Sequence, residues 1–474
     1  MPITQLQILP PLAVARFGSA ETPLDAYELV PDPNNPLAYR EIRAAESLEV
    51  DSATGAIARS YTPDRIQFKD DRCRVRPVAP FLEVFATTAD GKFQPLDLEL
   101  LKQEGLDATA VCWSLQVANL KVYRQTLDAD DKVIATVSRF NDHEEHPLQG
   151  KCAHFLKDKF IPFGRVRYIR PTAQFPEIRL RFTPATGKVY GSHTERFELD
   201  ENKLKTDPVF SGHEDRIVYN TAVGKWRGFQ SDVSSKTLTN PSDIYQGYWP
   251  DPTKLPISWG YLDDVCDGVI TVELALKDGS KLSTHAWISS CMPAFAPDSL
   301  PVRTVADDLE QLLHGPDLSD SEVSVHAAAE IVRRSLETLR HMNTLVMNGN
   351  IVEGRTNVAH TLGTQDTNDF GRLYAPIVAA SLVDNLAVRT LHERIYTALM
   401  SGAAPWFSEV IRKPEEIGDL SDKARRKMPA MLRGADGRAL ALTRRQISTL
   451  TKAAMKGPFD PPNRPASSTG GPTK

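Results

Sequence analysis

The chain is poor in cysteine: five in 474 residues, Cys73, Cys112, Cys152, Cys266 and Cys291, with no C-x-x-C pair. So few, so scattered, exclude a disulfide-built scaffold, a zinc ribbon and a thioredoxin-like site. Charge of one sign is also missing. The 56 Lys+Arg against 61 Asp+Glu leave a net charge of −5, which gives no electrostatic reason to expect nucleic acid or an anionic membrane as partner. Long apolar runs are absent. The best, Ala375–Val383, is half of the roughly 20 residues needed to span a bilayer. The opening Met1–Phe17 has no basic start and carries Pro10 and Pro11 inside its apolar stretch, a poor signal peptide. A soluble, cytoplasmic protein is expected. Neither G-x-S-x-G, G-x-G-x-x-G nor G-x-x-x-x-G-K occurs, and no internal repeat is found, so no nucleophile elbow or phosphate-binding glycine loop is present.

What remains is ordinary globular composition, 41% hydrophobic and 25% charged. Up to about residue 300 the text consists of short alternating segments broken by Pro, Gly, Asn and Asp. Val75–Phe85 reads as extended chain leading into a strand. Glu177–Phe182 alternates with period two and is followed by the turn signal Thr183–Gly187 and then Lys188–Tyr190, which predicts a hairpin. Val269–Leu276, the turn Lys277–Ser280 and the return Ser283–Ile288 predict another. Many short strands with regular turns imply a β-rich, sandwich-like body over 1–300.

Beyond residue 300 the period becomes helical. Ser319-x-x-Glu322 has capping-box spacing ahead of a helix that keeps Val323, Ile331, Leu336, Leu339, Met342 and Val346 near one face and stops at Asn348-Gly349. A second helix is expected over Leu373–Met400, and a third from the capping box Thr443-x-x-Gln446 to Gly457. The Pro/Gly/Ser-rich stretch 458–474 reads as a disordered tail. The expected class is α+β: residues 1–300 β-rich, residues 301–457 mainly helical.

Several clusters carry candidate chemistry. Asp263, Asp264 and Asp267 surround Cys266. Such carboxylates could hold a cation or serve as a base, because adjacent acids raise one another's pKa; the preferred reading is a turn whose Asp side chains cap backbone N–H groups. His143, His146, Cys152 and His154, with Glu144 and Glu145 between, are ligand types for zinc or iron, but their spacing fits no named site and a solvated loop is preferred. Arg165, Arg167 and Arg170, interleaved with Phe163 and Tyr168, could receive a carboxylate or phosphate; nearby Glu177, Arg179 and Arg181 favour cross-strand salt bridges instead. Asn119, Lys121, Tyr123 and Arg124 follow the same logic. His193 and His213 stand without a constellation. Arg16, inside the apolar Leu12–Phe17, needs a partner if buried, and the central aspartates are the expected one. Gly18 is expected in a turn of positive φ.

Three stretches together resemble the LodA-like proteins, the family of L-lysine epsilon-oxidase and the related glycine oxidase. They are Ile8–Ala20; Trp259–Gly268 with the following strand, Ala286-Trp287, Pro293 and Ala296-Pro297; and Met428-Pro429 with Leu442–Gln446 and Leu450…Gly457-Pro-Phe459. They run in the family's order along nearly the whole chain, the middle one most specifically. The resemblance implies an amine-oxidising activity with a built-in cofactor, cysteine tryptophylquinone, made from one Trp and one Cys. It also places Ala453 or Ala454 where the cofactor Trp belongs, and no cysteine follows Cys291. Trp406 is the one Trp of the helical half and nothing marks it as a substitute. No cofactor is therefore expected, and the quinone least of all.

The expected function is a divergent LodA-like protein that is not a quinone-dependent oxidase and keeps a cleft for a small amino-acid-like or peptide ligand. The alternatives are a quinone-dependent amino-acid oxidase whose cofactor pair lies elsewhere, and a non-catalytic scaffold or interaction module. Homo-oligomerisation is left open.

Overall fold

The structure is a computed structural model of the chain. It describes residues 2–192 apart from Pro36, 212–226, 261–341 apart from Phe295, 386–401, 406–431 apart from 418 and 420, and 441–456. The architecture is α+β. Two compact units are formed, Met1–Ala26 with Ala44–Ala294, and Tyr27–Arg43 with Phe295–Lys474.

Seventeen strands are present among the described residues. They begin with β1 (Ile3–Leu9), β2 (Leu12–Arg16), β3 (Tyr27–Val30), β4 (Glu41–Ala44), β5 (Ser47–Val50) and β6 (Ile57–Tyr61). Next come β7 (Phe81–Thr88), β8 (Phe93–Pro95), β9 (Val111–Asn119), β10 (Val133–Phe140), β11 (His146–Gly150) and β12 (Ile161–Tyr168). The last are β13 (Arg179–Pro184), β14 (Val189–Tyr190), β15 (Leu262–Asp263), β16 (Asp267–Ala275) and β17 (Lys281–Cys291).

In the first unit one sheet runs β1-β7-β13-β12-β11 with β8 on β7, and a second runs β10-β9-β16-β17-β2. All pairs are antiparallel except β17 with β2, which is parallel; the second sheet is therefore mixed. Alternation explains the core. Leu82, Val84 and Ala86 of β7 and Trp113, Leu115 and Val117 of β9 are buried members of one apolar cluster drawn from both sheets, so each strand gives one face to the interior. The turn between β16 and β17 forms as expected: Gly279 takes φ +84° and Asp278 Oδ1 accepts from Ser280 N–H at 2.9 Å.

The hairpin expected over 177–190 does not form. β13 pairs with β12 and β7, while β14 pairs with β15, about 70 residues on. Local turn chemistry at 183–187 bends the chain without closing a hairpin, because both edges of β13 are already taken. Gly18 also differs. Its φ is not positive; instead an added Cβ would lie 2.4 Å from Pro77 N and 2.5 Å from the Val75 carbonyl. The glycine is there for close backbone approach.

The second unit holds the β3–β4 ribbon and helices α3 (Val305–His314), α4 (Val325–Glu337), α5 (Leu386–Ser401) and α6 (Arg444–Met455); the short α1 (Leu98–Gln103) and α2 (Lys121–Thr126) belong to the first unit. The Ser319/Glu322 box forms, but on a single 3₁₀ turn; α4 starts later, with Ser324 Oγ accepting from Ala327 N–H at 3.2 Å. The Thr443 box caps α6 as expected: Gln446 N–H donates to Thr443 Oγ1 (3.1 Å) and Thr443 N–H to Gln446 Oε1 (2.9 Å). Arg40 ties residues 27–43 to α4 through Glu337 (2.7 Å) and Glu330 (2.5 Å).

Trp259, Gly260, His193, Met342, Val346, Asn348-Gly349, the 373–385 part of the second expected helix, Gly457–Phe459 and the 458–474 tail lie outside the described residues. No helix among the described residues is long and apolar enough to cross a membrane.

Candidate functional site

The polar centre of the first unit is organised by Asn119, where β9 ends, and by α2 directly after it. Buried Asn119 donates from Nδ2 to the Asp263 carbonyl (3.1 Å), to Asp263 Oδ1 (3.2 Å) and to the Val265 carbonyl (2.9 Å). Its Oδ1 accepts from Lys121 N–H at 3.0 Å, starting α2. Lys121 Nζ then reaches Asp263 Oδ2. Asn119 and Lys121 thus serve the aspartates rather than a basic patch.

The three aspartates are treated differently. Asp263, on β15, is buried and charge-paired. Asp264 is fully buried, and its Oδ2 accepts from Gly187 N–H (3.1 Å) and Lys188 N–H (2.9 Å). That capping fits the turn reading, except that the capped N–H groups come from a distant segment. Its Oδ1 has no hydrogen-bond partner among the described residues. Burial, helped by the Asp263 charge against those backbone donors, pushes Asp264 up to about 7. Asp267 is exposed at the start of β16. Cys266 between them is an interior thiol: its N–H donates to Ser290 Oγ at 2.9 Å, and burial pushes it up to about 12, far from thiolate reactivity.

Arg16 does not join the aspartates. Its guanidinium donates to the Met292 carbonyl at 3.1 Å, beside Cys291 with which the parallel β2–β17 pairing places it, and the expected tie does not form.

The histidine–cysteine cluster divides. His143 Nδ1 bonds the Tyr168 carbonyl (3.1 Å) and His146 Nε2 bonds Asp142 (2.9 Å). Strand β11 then carries the chain away, on the order of 15–20 Å at its rise per residue, before Cys152 and His154. His154 Nδ1 meets Asp131 Oδ1 at 2.8 Å. Asp131, fully buried, also accepts from Tyr219 OH (2.7 Å) and Thr126 Oγ1 (2.5 Å). Burial and that bond raise the Tyr219 phenol well above its usual range, and burial pushes the Cys152 thiol to about 12. Asp128, Asp131 and His154 offer ligand atoms within 4.8 Å of one another, the one such grouping among the described residues. The oxygens of Asp131 are already engaged by three donors, so the grouping works as a hydrogen-bonded hub.

A further charge that sequence reasoning missed, Arg216, acts on Tyr190 together with Asp264. Gly191 N–H donates to the Arg216 carbonyl (3.0 Å) and Val218 N–H to the Gly191 carbonyl (3.0 Å), drawing Arg216 alongside Tyr190. Burial raises the Tyr190 phenol, and three charges act on it, Asp264 and Asp215 raising it further and the Arg216 guanidinium lowering it. Arg216 Nε, Ser192 Oγ and Trp226 Nε1 are buried without a hydrogen-bond partner among the described residues. His213, three residues before Arg216 and at the N-cap of the same 3₁₀ turn, is exposed. Lone charges beside a predicted loop gave no periodic signal; only the 191–218 pairing reveals Arg216.

In the second unit, Ala453 and Ala454 are buried on α6 among Leu442, Leu450, Ile331, Val332 and Ile395. A methyl group offers no ring to oxidise, and every cysteine of the chain belongs to the first unit. Trp406 is 40% exposed.

The chain matches no protein-family model, and no curated protein matches it in sequence. Among solved structures it is similar to the L-Lys epsilon-oxidase from Marinomonas mediterranea, at 14% identity and TM-score 0.42 over 97% of this chain and 62% of that one. The Schiff base intermediate of that oxidase with L-Lys gives 14% identity and TM-score 0.42 over 95% and 60%. A further structure of the epsilon-lysine oxidase gives 13% and 0.44 over 97% and 63%. The chain therefore spans about three fifths of the length of the oxidase it is similar to.

Proposed function

We propose that this chain is a divergent LodA-like protein that binds an amino-acid-like or peptide ligand and does not carry out quinone-dependent amine oxidation. The observation that supports the ligand class is that Asp264, whose buried Oδ1 has no partner among the described residues, and Arg216, whose buried Nε has none among them, both act on one phenol, Tyr190. A zwitterion needs one acidic and one guanidinium group in a water-poor site. An ammonium at Asp264 gives that oxygen the donor it lacks and draws the carboxyl back to its ionised form. A carboxylate at Arg216 meets a planar donor fork.

The reading that no quinone is made rests on Ala453 and Ala454 and on the absence of cysteine after Cys291. Two measurements test the proposal. Calorimetric titration of the full chain with a panel of L-amino acids and dipeptides is expected to find saturable binding that Asp264→Asn and Arg216→Gln each weaken about tenfold or more, the worth of a hydrogen bond to a charged group. Intact mass and visible absorbance are expected to match the unmodified sequence without colour. A pigmented preparation with a mass shift would establish the oxidase alternative. Absence of binding across the panel would leave the scaffold reading.

A further inference from the structure

The outer face of the β7-β13-β12 sheet holds a guanidinium, that of Arg181, whose Nε has no hydrogen-bond partner among the described residues. Arg181 on β13 stands opposite Phe81 on β7 and opposite Arg167 on β12. Like charges on facing positions of neighbouring strands repel. The neighbouring arginines have found partners. Arg179 bonds Glu83 (2.8 Å) and Glu177 (3.0 Å), and Arg165 bonds Glu145 (3.0 Å). Arg167 donates to the Ser52 carbonyl at 2.9 Å, and Arg76 bonds Asp25 at 3.2 Å. Asp25 also accepts from Tyr61 OH at 2.6 Å. Arg181 bonds no carboxylate or carbonyl among the described residues. Its guanidinium lies over the Phe81 ring at 4.9 Å, and its Nε is buried without a partner.

A mostly buried guanidinium without a counter-charge costs several kcal/mol in desolvation, and stacking on a ring recovers only part of it. Burial first, and then the Arg165 charge, pull Arg181 down to about 10, against the opposing charge of Glu145. Phe81 covers the guanidinium on one side, and its Nε–H is a buried donor without an acceptor among the described residues, which an oxyanion would supply. Arg165, with its side chain 43% exposed, supplies a second positive group and a connection to solvent.

We propose that Arg181, backed by Phe81 and assisted by Arg165, binds an oxyanion, the terminal group of a phosphate or a carboxylate ligand. This site stands apart from Asp264 and does not depend on the function proposed above.

The test uses the full chain at constant ionic strength set with chloride, with inorganic phosphate and succinate as separate probes. Calorimetry is expected to show saturable binding of at least one probe, with a rise in unfolding midpoint that matched chloride does not reproduce. Binding by phosphate alone assigns a phosphate-type ligand, and by succinate alone a carboxylate. Arg181→Gln is expected to lower affinity about tenfold or more, and Arg165→Gln several-fold. Arg59→Gln, an exposed arginine bonded to Glu49, is expected to leave it unchanged. If Arg181→Gln fails to fold, the wild-type isotherm and Arg165→Gln decide. No saturable binding of either probe, an effect equalled by chloride, or unchanged affinity in both Arg181→Gln and Arg165→Gln would overturn the proposal.

Discussion

Asp131 and His154 stand 2.8 Å apart at the bottom of a hub that also takes the Tyr219 hydroxyl. The carboxylate joins three segments that are far apart in the chain: the turn after α2, the stretch after β11, and residues 217–219. Since it is fully buried, each donor it holds compensates desolvation that water no longer does.

Tyr219→Phe is accordingly expected to cost about 1.5–3 kcal/mol, a hydrogen bond to a charged acceptor, and to free the Trp226 N–H that the hydroxyl accepts at 3.3 Å. Asp131→Ala should cost more, since three donors then lose their acceptor. Urea unfolding of the two variants measures the order; equal and negligible losses would refute the hub. Metal analysis of the purified chain is expected to return no stoichiometric zinc, because a metal at Asp128, Asp131 and His154 would have to displace these donors.

Asp264 should impose a pH dependence on stability. Its folded value, about 7, lies above the ordinary value of 3.8, so the folded state holds the proton more tightly. Its contribution is fully present below pH 3.8 and is lost as pH rises through 7, at no more than about 1.4 kcal/mol per pH unit. Asp264→Asn keeps an acceptor for Gly187 and Lys188 and has no charge to bury. Its stability relative to wild type should rise between about pH 4 and about pH 7; parallel urea midpoints across that range would contradict the assignment.

Gly18 and Gly279 should respond differently to alanine. At Gly18 the new methyl meets backbone of residues 75–77 at 2.4–2.7 Å, which cannot rotate aside, and a loss of about 3 kcal/mol or more is expected. At Gly279 the space is open and only the φ of +84° opposes, about 1–2 kcal/mol. Thermal unfolding of both variants checks the ranking.

Arg40 and Glu337 form the buried pair of the second unit, with Glu337 raised by burial against the pull of Arg40. Arg40→Ala leaves that carboxylate without its guanidinium, and a loss of about 3–5 kcal/mol is expected. A double variant with Glu337→Leu should recover part of it. Chemical denaturation of the two tests whether the pair holds residues 27–43 to α4.

Much of the fold was legible in the chain because it is decided locally. Alternation marked β7, β13, β16 and β17, Asp-Gly-Ser marked the 278–280 turn, and Thr443 with Gln446 marked the start of α6. The failures share one cause. The 177–190 hairpin and the Arg16–aspartate tie each assumed that neighbours in sequence, or the nearest opposite charge, would be partners in space.

Order along the chain was enough to set the α+β class, the strand and helix periods, and the lack of indole and thiol around 453–454, since these follow from side-chain type and spacing alone. Tertiary structure decided which buried charges are answered. Asp263 has Lys121 and Asp131 has three donors, whereas Asp264 Oδ1 and Arg181 Nε have none among the described residues. Desolvation depends on which distant segments close over a group, and that is a property of the assembled sheets rather than of any window of residues.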